Sequence, residues 1–289
     1  YTSYPTAVEF NEEFTEAHYR ERLAQAASHK DEPLSFYCHI PFCEERCSFC
    51  GCMVVITRKP EVAARYLDYL IREIDLLAPL LGDRRTLGQY HWGGGTPTYL
   101  APEQMIGLHK AITRHFVLAP DAEVAIEVDP RVTTFDQIDL LRSLGFNRLS
   151  MGVQDFDPVT QEAINRGPPE QMTRKLFEHA RRAGFRSINV DLIYGLPFQN
   201  LETFGRTLEA VTGMRPDRVA VYSYAHVPWI RGNQKRIDPH DLPAREIKFD
   251  LFGLAMERFT AVGYLPLGMD HFALPDDEMS LAAGRGALH

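Results

Sequence analysis

Five cysteines, Cys38, Cys43, Cys47, Cys50 and Cys52, fall within fifteen consecutive residues of a 289-residue chain that has no others. A disulfide framework would spread an even number of cysteines through a small secreted domain, whereas this is an odd number crowded into one stretch of a long chain. Metal ligation is the better reading. Cys43-Glu-Glu-Arg-Cys47-Ser-Phe-Cys50 spells C-x3-C-x2-C, three thiolates on one short loop that can close around one side of a cube-shaped iron–sulfur cluster. Three ligands for four irons leave one iron without a protein thiolate, and an open coordination position is what admits chemistry at a metal. The alternative is a structural zinc site with Cys52, His39 or His91 as fourth ligand, but the spacing lacks the second ligand pair of the usual zinc pattern. Cys52 is not named as a ligand here, and Cys38, in the preceding strand pattern, reads as a small buried thiol.

The elements that must position this loop follow from periodicity. Short β-rich runs at 34–40, 87–92, 124–129, 148–153, 188–194 and 218–224 alternate with amphipathic helical stretches at 60–81, 102–116, 134–144, 170–183, 201–214 and 243–262. Pro60, Pro102 and Pro243 sit where proline is tolerated in a first helical turn, and Gly82, Gly145, Gly184 and Gly263 fall where helices end. Six such units predict an α/β fold, a partial (β/α)6 barrel. In such barrels chemistry collects on the loops at the carboxyl ends of the strands. The cysteine loop follows the first strand and Gly93-Gly94-Gly95-Thr96-Pro97 the second. Glu127-Val128-Asp129-Pro130 ends the third, Gln154-Asp155-Phe156 follows the fourth, Asp191 lies in the fifth, and Ala225-His226 follow the sixth. The expected organisation is an N-terminal segment over 1–33, the barrel over 34–262, and the start of a truncated carboxyl-terminal extension over 263–289.

Composition sets the outer bounds. With 45% hydrophobic, 24% charged and 11% aromatic residues the chain matches soluble globular proteins, which excludes disorder, collagen and coiled coil. A net charge of −8 provides no global electrostatic basis for binding nucleic acid or an anionic membrane. No stretch approaches the roughly 18–20 apolar residues of a membrane helix, and the first residues lack signal character, so a cytoplasmic protein is expected. Tyr1 is not an initiator Met and Leu281 to His289 stop without an evident tail, so a fragment of a longer chain is expected.

Each further candidate has an ordinary explanation beside the functional one. The triple glycine lets backbone approach a ligand with exposed N–H and C=O groups, or simply makes a tight strand-to-helix turn; it is neither G-x-G-x-x-G nor a P-loop. Glu127 and Asp191 are carboxylates in strands otherwise apolar, and need an ammonium, a ribose hydroxyl or an Arg as partner. Arg166 either pairs with a ligand carboxylate or lies solvated on its loop. His39 reads as a local hydrogen-bonding residue, and Met53 and Met151 as packing. Trp92 and Tyr37 sit at strand ends facing the proposed site.

The cysteine spacing on a partial βα barrel resembles the radical S-adenosylmethionine superfamily. Tyr1-Thr-Ser-Tyr-Pro-Thr6, Tyr37-Cys-His-Ile-Pro-Phe-Cys43, Cys50-Gly-Cys52, His91-Trp-Gly-Gly-Gly-Thr-Pro97, Glu127-Val-Asp-Pro130, Arg148-Leu-Ser-Met-Gly-Val-Gln-Asp-Phe156 and Asp191-Leu-Ile-Tyr-Gly-Leu-Pro197 together resemble the oxygen-independent coproporphyrinogen III oxidase (coproporphyrinogen dehydrogenase) family. The match runs through nearly all of the chain, down to Gly268-Met-Asp-His-Phe272.

The resemblance implies a [4Fe–4S] cluster on Cys43, Cys47 and Cys50 whose fourth iron is chelated by the amino and carboxylate groups of S-adenosylmethionine. One electron cleaves that cofactor to a 5′-deoxyadenosyl radical, which takes a hydrogen from the β-carbon of a substrate propionate; carbon dioxide and an electron leave and a vinyl group remains. On rings A and B this converts coproporphyrinogen III to protoporphyrinogen IX, an oxygen-independent step of haem biosynthesis. No side chain is catalytic beyond the cofactor-held radical. By the same resemblance Tyr37, Gly94 and Glu127 contact the cluster-bound S-adenosylmethionine, and Phe49, Gly95, Thr96, Gln154, Arg166, Asp191 and Ala225 contact a second molecule of it. A low-potential donor such as a flavodoxin or ferredoxin, a monomeric state and no nucleic-acid or membrane partner are also implied.

Cys38 stands where the family commonly has an aliphatic residue, and the family continues past His289 into a helical carboxyl-terminal domain that this sequence lacks. The nearest rival is a haem-binding chaperone of the same superfamily, which typically lacks Cys52 and the Tyr-Thr-Ser-Tyr-Pro opening. A haem-degrading methyltransferase would methylate and open the ring, and a zinc-stabilised barrel would bind zinc without iron–sulfur absorption.

Overall fold

The computed structural model describes residues 9–287; the Tyr1-Thr-Ser-Tyr-Pro-Thr6 motif and the last two residues lie outside the described residues. Strand β1 (Leu34–Ile40) leads at once into a short parallel pair, β2 (Phe42–Cys43) and β3 (Val55–Ile56), which brackets the cysteine loop. With β1, the strands β4 (Thr86–Gly94), β5 (Val117–Val128), β6 (Arg148–Gln154), β7 (Ser187–Tyr194) and β8 (Arg218–Ser223) lie side by side in chain order, all parallel. A helical crossover joins each to the next, and the six expected βα units are all present. Beyond β8 the sheet continues with antiparallel β9 (Leu265–Pro266) and β10 (His271–Ala273), so that β1 and β9 are the two ends of the sheet order. Residues 265–273, placed by sequence in an extension, thus hydrogen-bond into the sheet of the barrel.

The helices are α1 (Glu16–Ser28), α2 (Pro60–Leu77), α3 (Pro102–Thr113), α4 (Phe135–Ser143), α5 (Pro158–Ala163), α6 (Glu170–Ala183), α7 (Leu201–Met214), α8 (Arg245–Ala261) and α9 (Glu278–Gly284). Where a single helix was expected over 60–81, α2 ends at Leu77 and a 3-10 turn follows over Ala78–Leu81, because Pro79 has no N–H to continue the ladder. Helix α1 escaped sequence detection because none of its residues is buried, so it carries no apolar stripe. Helix α5 is too short for periodicity to register, although Asp157-Pro158 announces it: the Asp157 carboxylate accepts the N–H groups of Val159 and Thr160, and proline fills the first turn. No helix among the described residues is long and apolar enough to cross a membrane.

Strand alternation separates core from site. In β6, Leu149, Met151 and Val153 are buried in the core, while Ser150, Gly152 and Gln154 face a cavity at the carboxyl end of the sheet. Register then aligns polar residues across the mouth, with Glu127 beside Ser150, Ser150 beside Asn189, and Gly152 beside Asp191. Trp92, expected to face the site, is 0% exposed and donates its indole N–H to the Tyr90 hydroxyl at 2.8 Å, because its strand position points to the helix side of the sheet.

Candidate functional site

A cavity of about 550 Å³ opens among the loops at the carboxyl ends of the strands. Cys43, Cys47 and Cys50 line it together with Glu127, Arg166 and Asp191. Of the ten predicted cofactor contacts, Phe49, Gly94, Gly95, Thr96, Gln154 and those last three lie on its wall, while Tyr37 and Ala225 stand outside it.

The cysteine loop is clamped from far away in the chain. Asn233 donates its side-chain N–H groups toward the carbonyls of Cys47, Ser48 and Cys50 at 3.0–3.1 Å. Gln234 donates to the carbonyls of Phe49 and Ala225 at 3.0 and 3.1 Å, which ties the exposed Ala225 to the loop. Both belong to a 3-10 turn over Gly232–Arg236, which has no periodic signature in sequence. The Ser48 N–H donates to the Ile164 carbonyl at 2.8 Å, so α5 supports the same loop.

The thiols occupy different environments. Hydrogen bonding from the Cys52 thiol, with its backbone N–H and the charges of Arg166 and Arg46, pulls Cys50 down to about 6 against the opposing effect of burial. The shift favours the Cys50 thiolate, the form that ligates metal. Burial raises Cys43, whose sulfur lies 3.5 Å from the Thr96 hydroxyl. Cys52 is exposed on the cavity wall, and Cys38 is buried in the core with its thiol pushed up to about 12 by burial. Among the described residues no three His, Cys, Asp or Glu side chains converge as one tetrahedral ion requires. Three thiols spaced around a cavity wall suit a multi-iron cube, in which each sulfur meets a different iron.

The carboxylates are shifted in opposite directions. Glu127 Oε2 accepts the Gly94 N–H at 3.0 Å and Oε1 lies 3.3 Å from His91 Nε2. Burial opposes its charge, but these bonds and the nearby histidines outweigh burial and hold it below the ordinary value. Tyr37 supports this pair from behind: its ring stacks on His91 at 5.6 Å and its hydroxyl lies 3.1 Å from His39 Nδ1. His39 also bonds the Met53 carbonyl at 2.9 Å, the local role expected of it, whereas Met53 is 69% exposed rather than packed. Asp191 is pushed up to about 6 by burial, even though Ser150 and Asn189 donate to it at 3.0 and 2.7 Å.

Arg166 reaches the cavity because Asn165, just past the Ile164 cap of α5, takes φ 51° and turns the chain inward. Its Nη2 donates to the Gly152 carbonyl at 2.6 Å, and a Cβ on Gly152 would stand 2.7 Å from that nitrogen. Arg166 Nε and Arg46 Nε are buried without a partner among the described residues, two unmet donors at a cavity that also holds carboxylates. Such a wall fits a zwitterionic ligand bearing ammonium and carboxylate groups. Gln154 adopts φ 68° in a tight reversal closed by Asp155 N–H to Val153 carbonyl at 2.9 Å, backbone strain of the kind kept at functional sites.

Gly94 and Gly95 stand on the cavity wall and also meet a packing demand. The N–H groups of Gly94, Gly95 and Thr96 are already taken by Glu127, Ile40 and Phe42. Gly94, at φ 119°, leaves room for the His39 ring, and a Cβ on Gly95 would lie 2.7 Å from the Phe42 carbonyl oxygen. The triple glycine thus packs strand β4 against the cysteine loop. Replacing Gly95 with Ala is expected to cost about 1–3 kcal/mol through overpacking against backbone and to lower iron uptake. Denaturant unfolding and iron assay check this; parent values in both would refute it.

The family model described as the Radical SAM superfamily matches residues 37–211. The chain is 48% identical over 289 residues to the oxygen-independent coproporphyrinogen III oxidases of Salmonella typhimurium and Escherichia coli, covering 100% of itself and 62% of each relative. It superposes on the solved structure of the Escherichia coli coproporphyrinogen III oxidase, described as a radical SAM enzyme, with a TM-score of 0.95 and 48% identity, covering 66% of that chain. The chain thus spans about 62% of the length of these curated relatives. Fold, cysteine loop and family match agree: the chain belongs to the radical S-adenosylmethionine superfamily.

Proposed function

We propose that this chain carries the radical-generating core of an oxygen-independent coproporphyrinogen III oxidase, which decarboxylates the ring A and B propionates of coproporphyrinogen III to vinyl groups. The observation that carries this reading is the meeting in one cavity of three cysteine thiols with Glu127, Asp191 and Arg166, in a chain 48% identical throughout to oxidases of that name. Cys43, Cys47 and Cys50 hold a [4Fe–4S] cluster. When bound, the cluster and S-adenosylmethionine supply a 5′-deoxyadenosyl radical able to take a hydrogen atom from the β-carbon of a propionate.

The remaining work falls to the side chains. Glu127, kept ionised, accepts from the ribose or ammonium of the cluster-bound S-adenosylmethionine, with Gly94 and Tyr37 shaping that position. Phe49, Gly95, Thr96, Gln154, Arg166, Asp191 and Ala225 serve a second molecule of the cofactor, Arg166 taking its carboxylate. The two acids also favour a sulfonium cation in a half-buried site. A low-potential flavodoxin or ferredoxin supplies the electron, and the protein works as a monomer in the cytoplasm.

The test is anaerobic incubation of iron- and sulfide-reconstituted protein with reductant, S-adenosylmethionine and coproporphyrinogen III, beside the longer Escherichia coli relative. Formation of 5′-deoxyadenosine with loss of two carboxyl groups is expected. Haem binding with an intact cluster and no decarboxylation would replace this reading with that of a chaperone.

A further inference from the structure

Two guanidinium groups meet the Cys47 sulfur. Arg131 Nη2 and Arg166 Nη1 each lie 3.7 Å from Sγ. One carboxylate holds both: Asp129 Oδ2 is 2.7 Å from Arg131 Nη2 and 3.0 Å from Arg166 Nη1, and Arg131 Nε lies 3.1 Å from each carboxylate oxygen. Asp129 is 4% exposed, and its own backbone is fixed by the Thr133 hydroxyl, which donates to the Asp129 carbonyl at 2.9 Å.

The ordinary explanation is an ion pair stitching the loop after β5 to the loop after α5. One arginine would neutralise Asp129 for that purpose. The second leaves a net positive charge buried against a thiol, an arrangement that is costly unless the sulfur side supplies compensating negative charge. Both guanidiniums also direct N–H groups at the sulfur itself, and donors to a ligand sulfur tune the metal behind it.

We propose that Arg131 and Asp129 are positioning residues that set the reduction potential of the metal centre at Cys47, Arg131 by N–H donation and positive charge at the sulfur, Asp129 by partly cancelling that charge. This rests on the reading of Cys47 as a cluster ligand. Reduction adds negative charge to a sulfur-rich centre, so a cation at its ligand favours the reduced form and raises the potential, and an anion nearby lowers it.

The two residues therefore predict shifts of opposite sign. Redox titration of the reconstituted protein, followed by its paramagnetic signal, should show Arg131→Gln reducing less readily by about tenfold, about 59 mV lower for one electron. Asp129→Asn should shift the other way, and Arg131→Lys should stay near the parent. Loss of packing alone would move the first two in the same direction or not at all, and either result overturns the inference. If one of the pair fails to take up iron, the sign of the other's shift decides. Iron and sulfide content of the parent chain separates the two levels: no cluster in the parent overturns the site reading and this inference with it, whereas a full cluster with unmoved potentials overturns only the latter.

Discussion

Cys47→Ala is expected to abolish both cluster assembly and S-adenosylmethionine cleavage. Two thiolates cannot replace three in holding the cluster, and of the three proposed ligands Cys47 is the one most enclosed by protein. It is buried, its carbonyl is held by Asn233, and its sulfur faces two guanidiniums. Without that sulfur the two guanidiniums keep Asp129 as their shared acceptor, and that corner of the cavity offers no thiolate to iron. Cys38→Ala is the matching control: its thiol is buried in β1 among apolar neighbours, and its loss should leave iron content unchanged. Iron and sulfide assay with product analysis reads both variants. Retained iron with full cleavage in Cys47→Ala would refute the assignment.

Asp191→Asn should separate function from stability. Its carboxylate lines the cavity with two donors of its own, Ser150 and Asn189. An amide in its place removes a charge-assisted acceptor worth about 1.5–3 kcal/mol, so 5′-deoxyadenosine formation should fall about ten- to a hundredfold while iron content stays at the parent level. Stability should move the opposite way. Burial raises the folded-state value of Asp191 from the ordinary 3.8 to about 6. As pH rises between these two values the unfolded chain gives up its proton before the folded one does, so folding stability falls through this window and stays lower above it. At about 1.4 kcal/mol per unit, the burden is on the order of 2–3 kcal/mol at neutral pH. The variant should therefore unfold at a higher temperature than the parent at pH 7.5 and lose that advantage at pH 4. Unchanged turnover would demote Asp191 to a structural acid, and an equal Tm at pH 7.5 would contradict its raised value.

Legibility in the sequence followed the range of each interaction. The cysteine spacing, the six alternating units and the boundaries of α6 and α7 depend on neighbours within a few turns, and periodicity and capping report them directly. The fall of Glu127, Gln154 and Asp191 at the carboxyl ends of successive strands was likewise readable, because parallel crossovers force every strand to end on the same side. Asn233, Gln234 and Arg131 gave no comparable signal. Each stands in a loop or a single turn, and its partner lies tens to nearly two hundred residues away.

Local pattern by itself thus determined the cluster loop, the fold class and the face on which chemistry would gather, since these follow from spacing and from the twofold and 3.6-fold repeats of backbone geometry. Only the tertiary structure decided which groups meet there. Strand register sets Glu127 beside Ser150 and Gly152 beside Asp191, and close packing against His39 and the Phe42 carbonyl requires glycine at 94 and 95, both on the cavity wall. Burial raises both carboxylates, but His91, the Gly94 N–H and His39 outweigh it at Glu127, while Asp191 is left pushed up to about 6. Register, packing and desolvation are properties of surfaces brought together by folding, and a linear sequence carries them only through the structure it forms.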